Sequence, residues 1–170
     1  MQQIPKNILH LSEYWHGLAG GETPERNLFN IEELSRLLPY LMLCDFEFSP
    51  FRLRYRLSGT RIDEVTGINL TGRYLDEFLS GDYGDSVRTL LDFYEEASRT
   101  GRPRIWSYPW AGENPKGREI VVGIFPLKVN GAIAQCVSIE DYGTLNELED
   151  GHIEPADRHL HADWARLSRS

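Results

Sequence analysis

Ile4, Ile8, Leu11, Trp15 and Leu18 recur every three or four residues, which predicts an amphipathic helix over 4–19 ended by Gly20-Gly21. After a loop with Pro24, Asn30 is placed to cap a short helix, with Glu33 three residues on. Leu34, Leu37 and Leu38 are its expected buried face and Pro39 its end. Residues 40–48, YLMLCDFEF, alternate little before Asp45 and read as a strand covered on both faces. Ser49-Pro50 is a turn signal. In 51–58 the alternation is clean: Phe51, Leu53, Tyr55 and Leu57 point one way, and Arg52, Arg54, Arg56 and Ser58 the other.

Gly67, Gly72 and Gly81 break residues 60–80 into brief helical turns. From Asp82 to Thr100, Val87, Leu90, Leu91, Tyr94 and Ala97 form a helical stripe, with Gly101 as its stop. Three β-like segments follow, Arg104–Trp110, Arg118–Leu127 and Ala132–Asp141. The Gly/Asn/Pro-rich stretch 112–117 and the hairpin signal Asn130-Gly131 separate them. The order predicts an α+β domain with a five-stranded antiparallel sheet and helices on one face. Because IVVGIF at 120–125 is apolar on both faces, a second cover is needed. The N-terminal stripe is the available element, packing on the other face or in a dimer through Ile8, Leu11, Trp15 and Leu18. This divides the chain into an N-terminal helix and loop (1–29), a central domain (30–142) and a tail (143–170), where Leu160, Trp164 and Leu167 share a helical face.

The composition narrows the function. A net charge of −8 argues against a phosphate-binding surface, so no nucleic-acid partner is expected. No stretch reaches the roughly 20 apolar residues of a membrane span, and the N-terminus lacks a hydrophobic signal core. Cys44 and Cys136 sit in apolar runs without CxxC spacing, as buried thiols of a cytoplasmic protein would.

Two strands, short helices, a connecting helix and three strands is the order of PAS domains, whose sheet runs 2-1-5-4-3. The local sequence resembles a bacterial family of small, stand-alone PAS-like proteins. The resemblance is carried by Tyr14-Trp15, Pro24, Arg26, Leu37-Leu38-Pro39, Asp45, Tyr55-Arg56-Leu57, Gly59-Thr60, Gly67 and Leu70-Thr71-Gly72-Arg73. It continues through Leu75-Asp76-Glu77, Thr100-Gly101-Arg102-Pro103, Phe125-Pro126-Leu127 and Asn130-Gly131. It covers residues 10–142 and leaves out the tail. It implies a ligand sensor, a redox or light sensor, or a dimerisation module, with no shared ligand to carry over.

Under that arrangement, Tyr55, Phe78, Phe93, Trp106, Tyr108 and Trp110 lie on or near the elements around the family's internal cavity. They read first as core packing and second as a pocket for a small, partly apolar ligand. Val122, Ile124 and Cys136 complete the expected lining, with Arg73 and Arg104 as ambiguous cations. Arg54 and Arg56, opposite Tyr55, are expected to face solvent or a partner.

Haem is disfavoured, because all five histidines, His10, His16, His152, His159 and His161, lie outside the connecting helix, and Met42, Cys44 and Cys136 sit on predicted strands. Flavin photochemistry of this class needs a helical Asn-Cys-Arg motif, which is absent. His159 and His161, with Asp157 and Asp163, diverge on a helix, so no metal is expected. The acidic pairs Glu32-Glu33, Asp76-Glu77 and Glu95-Glu96 also point apart, and no catalytic triad can be assembled. The expectation is a non-enzymatic homodimeric sensor that binds a small molecule and signals through a separate protein. The alternative is an adaptor without a small-molecule ligand.

Overall fold

Strand and helix formation follow the hydrophobic pattern closely. The computed structural model describes residues 4–80, 84–109 and 119–142. In chain order these form helix α1 (Lys6–Leu18), 3-10 turns at Arg26–Leu28 and Ile31–Tyr40, and strands β1 (Leu41–Glu47) and β2 (Arg52–Ser58). Helix α2 (Thr60–Thr66), a 3-10 turn at Leu75–Phe78, helix α3 (Gly84–Thr100) and strands β3 (Arg104–Pro109), β4 (Glu119–Val129) and β5 (Ala132–Asp141) complete them. The sheet is antiparallel in the order β2-β1-β5-β4-β3, as the sequence implied. Asn130 and Gly131 both take positive φ, 52° and 83°, and close the β4–β5 hairpin.

Register assigns each strand residue to a face. Cys44 pairs with Tyr55 and Cys136, Met42 and Ile124 with Ser138, and Trp106 with Val122. That face meets α3, whose Tyr94 donates to or accepts from Ser138 Oγ at 3.0 Å. Val87, Leu90, Tyr94 and Ala97 of the expected stripe are buried there, while Leu91 is only partly buried. The opposite face carries Val121, Gly123, Phe125, Val137 and Ile139, and α1 of the same chain covers it. A Cβ on Gly123 would sit 3.2 Å from the Ile8 side chain, so the missing side chain lets α1 lie close. Trp15 is 1% exposed, and its indole Nε1 donates to Pro126 O at 2.7 Å. Asn7 Nδ2 donates to Asp141 Oδ2 at 3.4 Å, near the other end of α1.

Of the two places expected for the N-terminal stripe, the structure shows the one within the chain: Ile8, Leu11 and Trp15 are buried against the sheet of their own chain and Leu18 is partly buried. The same packing joins α1 to the core of the 30–142 segment. The connection after α1 is tied to the far hairpin, since Lys128 N donates to Pro24 O at 2.8 Å and Gly131 N to Glu25 Oε1 at 2.8 Å.

Three local expectations also change. Pro39 lies inside the last turn of its 3-10 helix, which runs on to Tyr40, and Leu38 is exposed while Leu34 and Leu37 are buried. Asn30 does cap that helix, accepting from Glu32 N at 3.1 Å. In β2 the alternation fails at its end: Leu43 pairs with Leu57 but Cys44 with Tyr55, so Arg56 is an extra, bulged residue. One inserted residue exchanges the faces beyond it, leaving Leu57 exposed and Ser58 buried.

Arg52 fastens the 3-10 turn at Leu75–Phe78 to the sheet through two bonds to Asp76, of 2.6 and 2.9 Å, and its guanidinium lies 3.7 Å from the Tyr74 ring centre. This bond pair holds the Asp76 carboxyl below its ordinary range. Among the described residues no helix is long and apolar enough to cross a membrane, and no three His, Cys, Asp or Glu side chains are grouped to hold a metal. Trp110, the 112–117 loop, His152, His159, His161 and the tail stripe of Leu160, Trp164 and Leu167 lie outside the described residues.

Replacing Trp15 tests the second cover. Trp15→Phe leaves the buried Pro126 carbonyl without its donor and is expected to cost about 1–2 kcal/mol; Trp15→Ala, which also opens a cavity, about 3–5 kcal/mol. Urea unfolding measures both, and an unchanged midpoint in Trp15→Ala contradicts the packing described.

Candidate functional site

Nine of the ten residues expected to line one cavity are distributed over three places. Tyr55, Val122, Ile124 and Cys136 lie in the packed layer between the sheet and α3, all at most 5% exposed. Arg73 and Phe78 lie at the β2 edge, where the Arg73 guanidinium is 4.9 Å from the Phe78 ring and bonds Glu77 at 3.3 Å, while Arg73 O accepts from Tyr55 N. Phe93, Trp106 and Arg104 come together at the opposite edge, beside β3. The Tyr108 side chain lies outside the described residues.

The packed layer is chemically quiet. Cys44 faces Cys136 across the β1–β5 pair, and Cys136 Sγ lies 3.7 Å from Ser138 Oγ, which also contacts Tyr94. Both thiols are free and buried. Burial first, and then the neighbouring Cys136, pushes the Cys44 thiol well above its usual range. Burial likewise raises the phenols of Tyr55 and Tyr94. Tyr142 is raised by burial and by the charge of Glu140, to which its hydroxyl donates at 2.5 Å. A thiol held protonated is a poor nucleophile.

The β3 edge is different. A cleft of about 470 Å³ runs there between α1 and α3, lined by Ser12, His16, Phe93, Glu96, Pro103, Arg104, Ile105 and Trp106. Alternation along β3 places Arg104 and Trp106 on the α3 side, opposite Ile124 and Val122, and Ile105 on the α1 side. Helical spacing puts Phe93 and Glu96, three residues apart, on the α3 face that meets them. The Phe93 and Trp106 rings stack with centroids 4.0 Å apart and 29° between planes. Arg104 Nη2 donates to Glu96 Oε1. On the α1 side, His16 Nδ1 lies 2.7 Å from Ser12 O, one helical turn earlier, and its ring meets Trp15 edge-on.

Two donors in this wall, Trp106 Nε1 and Arg104 Nε, are buried and have no acceptor among the described residues. Sequence reasoning found Phe93, Trp106 and Arg104 but missed Ser12, His16, Glu96, Pro103 and Ile105. The helix stop at Gly101 followed by Pro103 brings the start of β3 back along the end of α3, a signal from which the Arg104–Glu96 pair could have been read but was not. Nothing in the sequence placed Ser12 and His16 on that edge, because it does not fix where α1 crosses the sheet.

The PAS domain family matches residues 4–100 of the chain. No curated protein matches it. Among solved structures, the chain is similar to the PAS domain of BvgS from Bordetella pertussis, with 13% identity, a TM-score of 0.49, and 71% of this chain and 94% of that one covered. It is also similar to a fungal LOV domain photoreceptor, with 20% identity, a TM-score of 0.40, and coverage of 61% and 73%.

The buried phenols set an alkaline limit. Tyr55, Tyr94 and Tyr142 ionise in the unfolded chain near pH 10 but hold their protons in the fold, so their contribution is complete below about pH 10 and is lost as pH rises toward the raised native values. Phenolate absorbance followed beside near-ultraviolet dichroism should show at least these three of the eight tyrosines ionising only as the fold melts. Ionisation of all eight before any loss of dichroism contradicts it.

Proposed function

Because the chain belongs to the PAS domain family, we propose that it is a cytoplasmic sensory and regulatory module. It binds a small molecule in the β3 cleft and passes the signal to a separate protein, without catalysing a reaction. The observation that carries this reading is the position of the cleft: its walls come from α1 on one face of the sheet and α3 on the other. An occupant contacts both covers at once, so any difference in its affinity for two arrangements of those helices shifts their populations. The cleft volume falls in the range of small-molecule sites, and its lining mixes aromatic and apolar walls with a few polar groups.

The non-catalytic part of the reading is supported by the state of the reactive groups. Cys44 holds its proton in the core, and the Arg104–Glu96 pair ties up two charged groups of the cleft in one another. A second reading, an adaptor that binds only polypeptide, is favoured by the filled layer beneath α3, where Leu53, Tyr55, Tyr94, Ile124 and Cys136 leave no exposed surface to speak of.

Native mass spectrometry of freshly purified protein separates the two. The expected result is a non-covalent mass above the denatured mass, lost in Ser12→Trp, whose indole fills the α1 side of the cleft. The same retained mass in Ser12→Trp would place the occupant elsewhere. A bare chain in both, with no gain in melting temperature from a metabolite panel, favours the adaptor.

A further inference from the structure

The two donors without acceptors specify the chemistry of the occupant. Trp106 is 5% exposed, yet its Nε1–H has no acceptor among the described residues, and Arg104 Nε, two residues away on the same face, is in the same state. A buried donor left unpaired costs about 1–3 kcal/mol, and such groups are rare in folded proteins. Both orphans are N–H groups, so what completes them is an acceptor. A carbonyl oxygen, with two lone pairs and no proton of its own, fits that requirement better than a hydroxyl or an amine.

Charge decides between a neutral acceptor and an anion. The guanidinium of Arg104 is already neutralised by Glu96, so a second carboxylate would lie beside the first, in a protein of net charge −8. A neutral carbonyl avoids that repulsion. The remaining walls favour a flat apolar body: Phe93 and Trp106 present stacked ring faces, with Pro103 and Ile105 alongside. Phe93 is only partly buried, and its ring stacks on the indole.

We infer that the β3 cleft takes a neutral, planar aromatic molecule through a carbonyl-bearing edge, which accepts hydrogen bonds from Trp106 Nε1 and Arg104 Nε. The inference rests on the ligand-binding reading above and names the class of ligand.

Three probes of similar size test it on the full chain: 2-quinolinone (neutral, with a carbonyl), 2-naphthoate (anionic) and indole (no acceptor). The readout is the indole N–H region of nitrogen-15 correlation spectra, where Trp106→Phe identifies the Trp106 signal among the four tryptophans. With 2-quinolinone this signal should move downfield and saturate, and indole, which offers neither donor an acceptor, should bind at least about tenfold more weakly. Trp106→Phe, with its melting temperature checked, should weaken 2-quinolinone by a few fold up to about tenfold while leaving indole unchanged. Tighter binding of 2-naphthoate overturns the neutral class, and equal binding of indole overturns the acceptor requirement; both leave the cleft as a site. No movement of the Trp106 signal with any probe overturns the inference. The cleft itself is judged separately by the retained mass and its loss in Ser12→Trp.

Discussion

The architecture depends on a sheet whose central strands are apolar on both faces. Ile120, Val122 and Ile124 of β4 alternate with Val121 and Phe125, and all five are buried. Backbone groups of such a strand are satisfied within the sheet, but its side chains need two covers, since one helix layer removes only half of their surface from water. α3 supplies one and α1 the other. The cleft follows from this double cover: two layers built from distant parts of the chain extend past β3, the last strand, and the space beyond its edge lies between them. The cleft is thus a by-product of satisfying the sheet.

The same constraint explains which parts of the fold were legible in the sequence. Elements whose pattern is set by a continuous covered face were read almost to the residue: α1, the α3 stripe of Val87, Leu90, Tyr94 and Ala97, and β5, whose bounds match as predicted. Errors arose where a local device overrode the pattern. The bulge at Arg56 changed the faces of Leu57 and Ser58, and no residue type announces a bulge of that kind. Pro39 was read as a terminator, whereas its missing N–H is tolerated inside a 3-10 turn that ends one residue later.

The site was less legible than the fold for a related reason. Alternation and helical spacing say which residues share a face, whereas Phe93 and Trp106 were placed near a cavity only through the family resemblance, and Arg104 stayed ambiguous. Neither pattern says how far along the sheet a covering helix lies, so Tyr55 and Cys136 were assigned to a cavity that the structure fills, and Ser12 and His16 were not assigned at all. The α1 stripe likewise demanded an apolar partner without saying which, and in the structure its own sheet is that partner.

The burial of Ile8, Leu11 and Trp15 changes what the smallest self-sufficient unit of this chain is. A fragment cut at residue 30, where composition suggests a boundary, would retain every strand and yet present Val121, Phe125, Leu127, Val137 and Ile139 to water as one greasy plate, since all five lie on the face that α1 covers. Contiguous apolar surface of that sort drives association. Such an excised core would carry the complete hydrogen-bonded sheet and still be colloidally unstable, clumping with its own copies to recover the shelter that its first helix had given it.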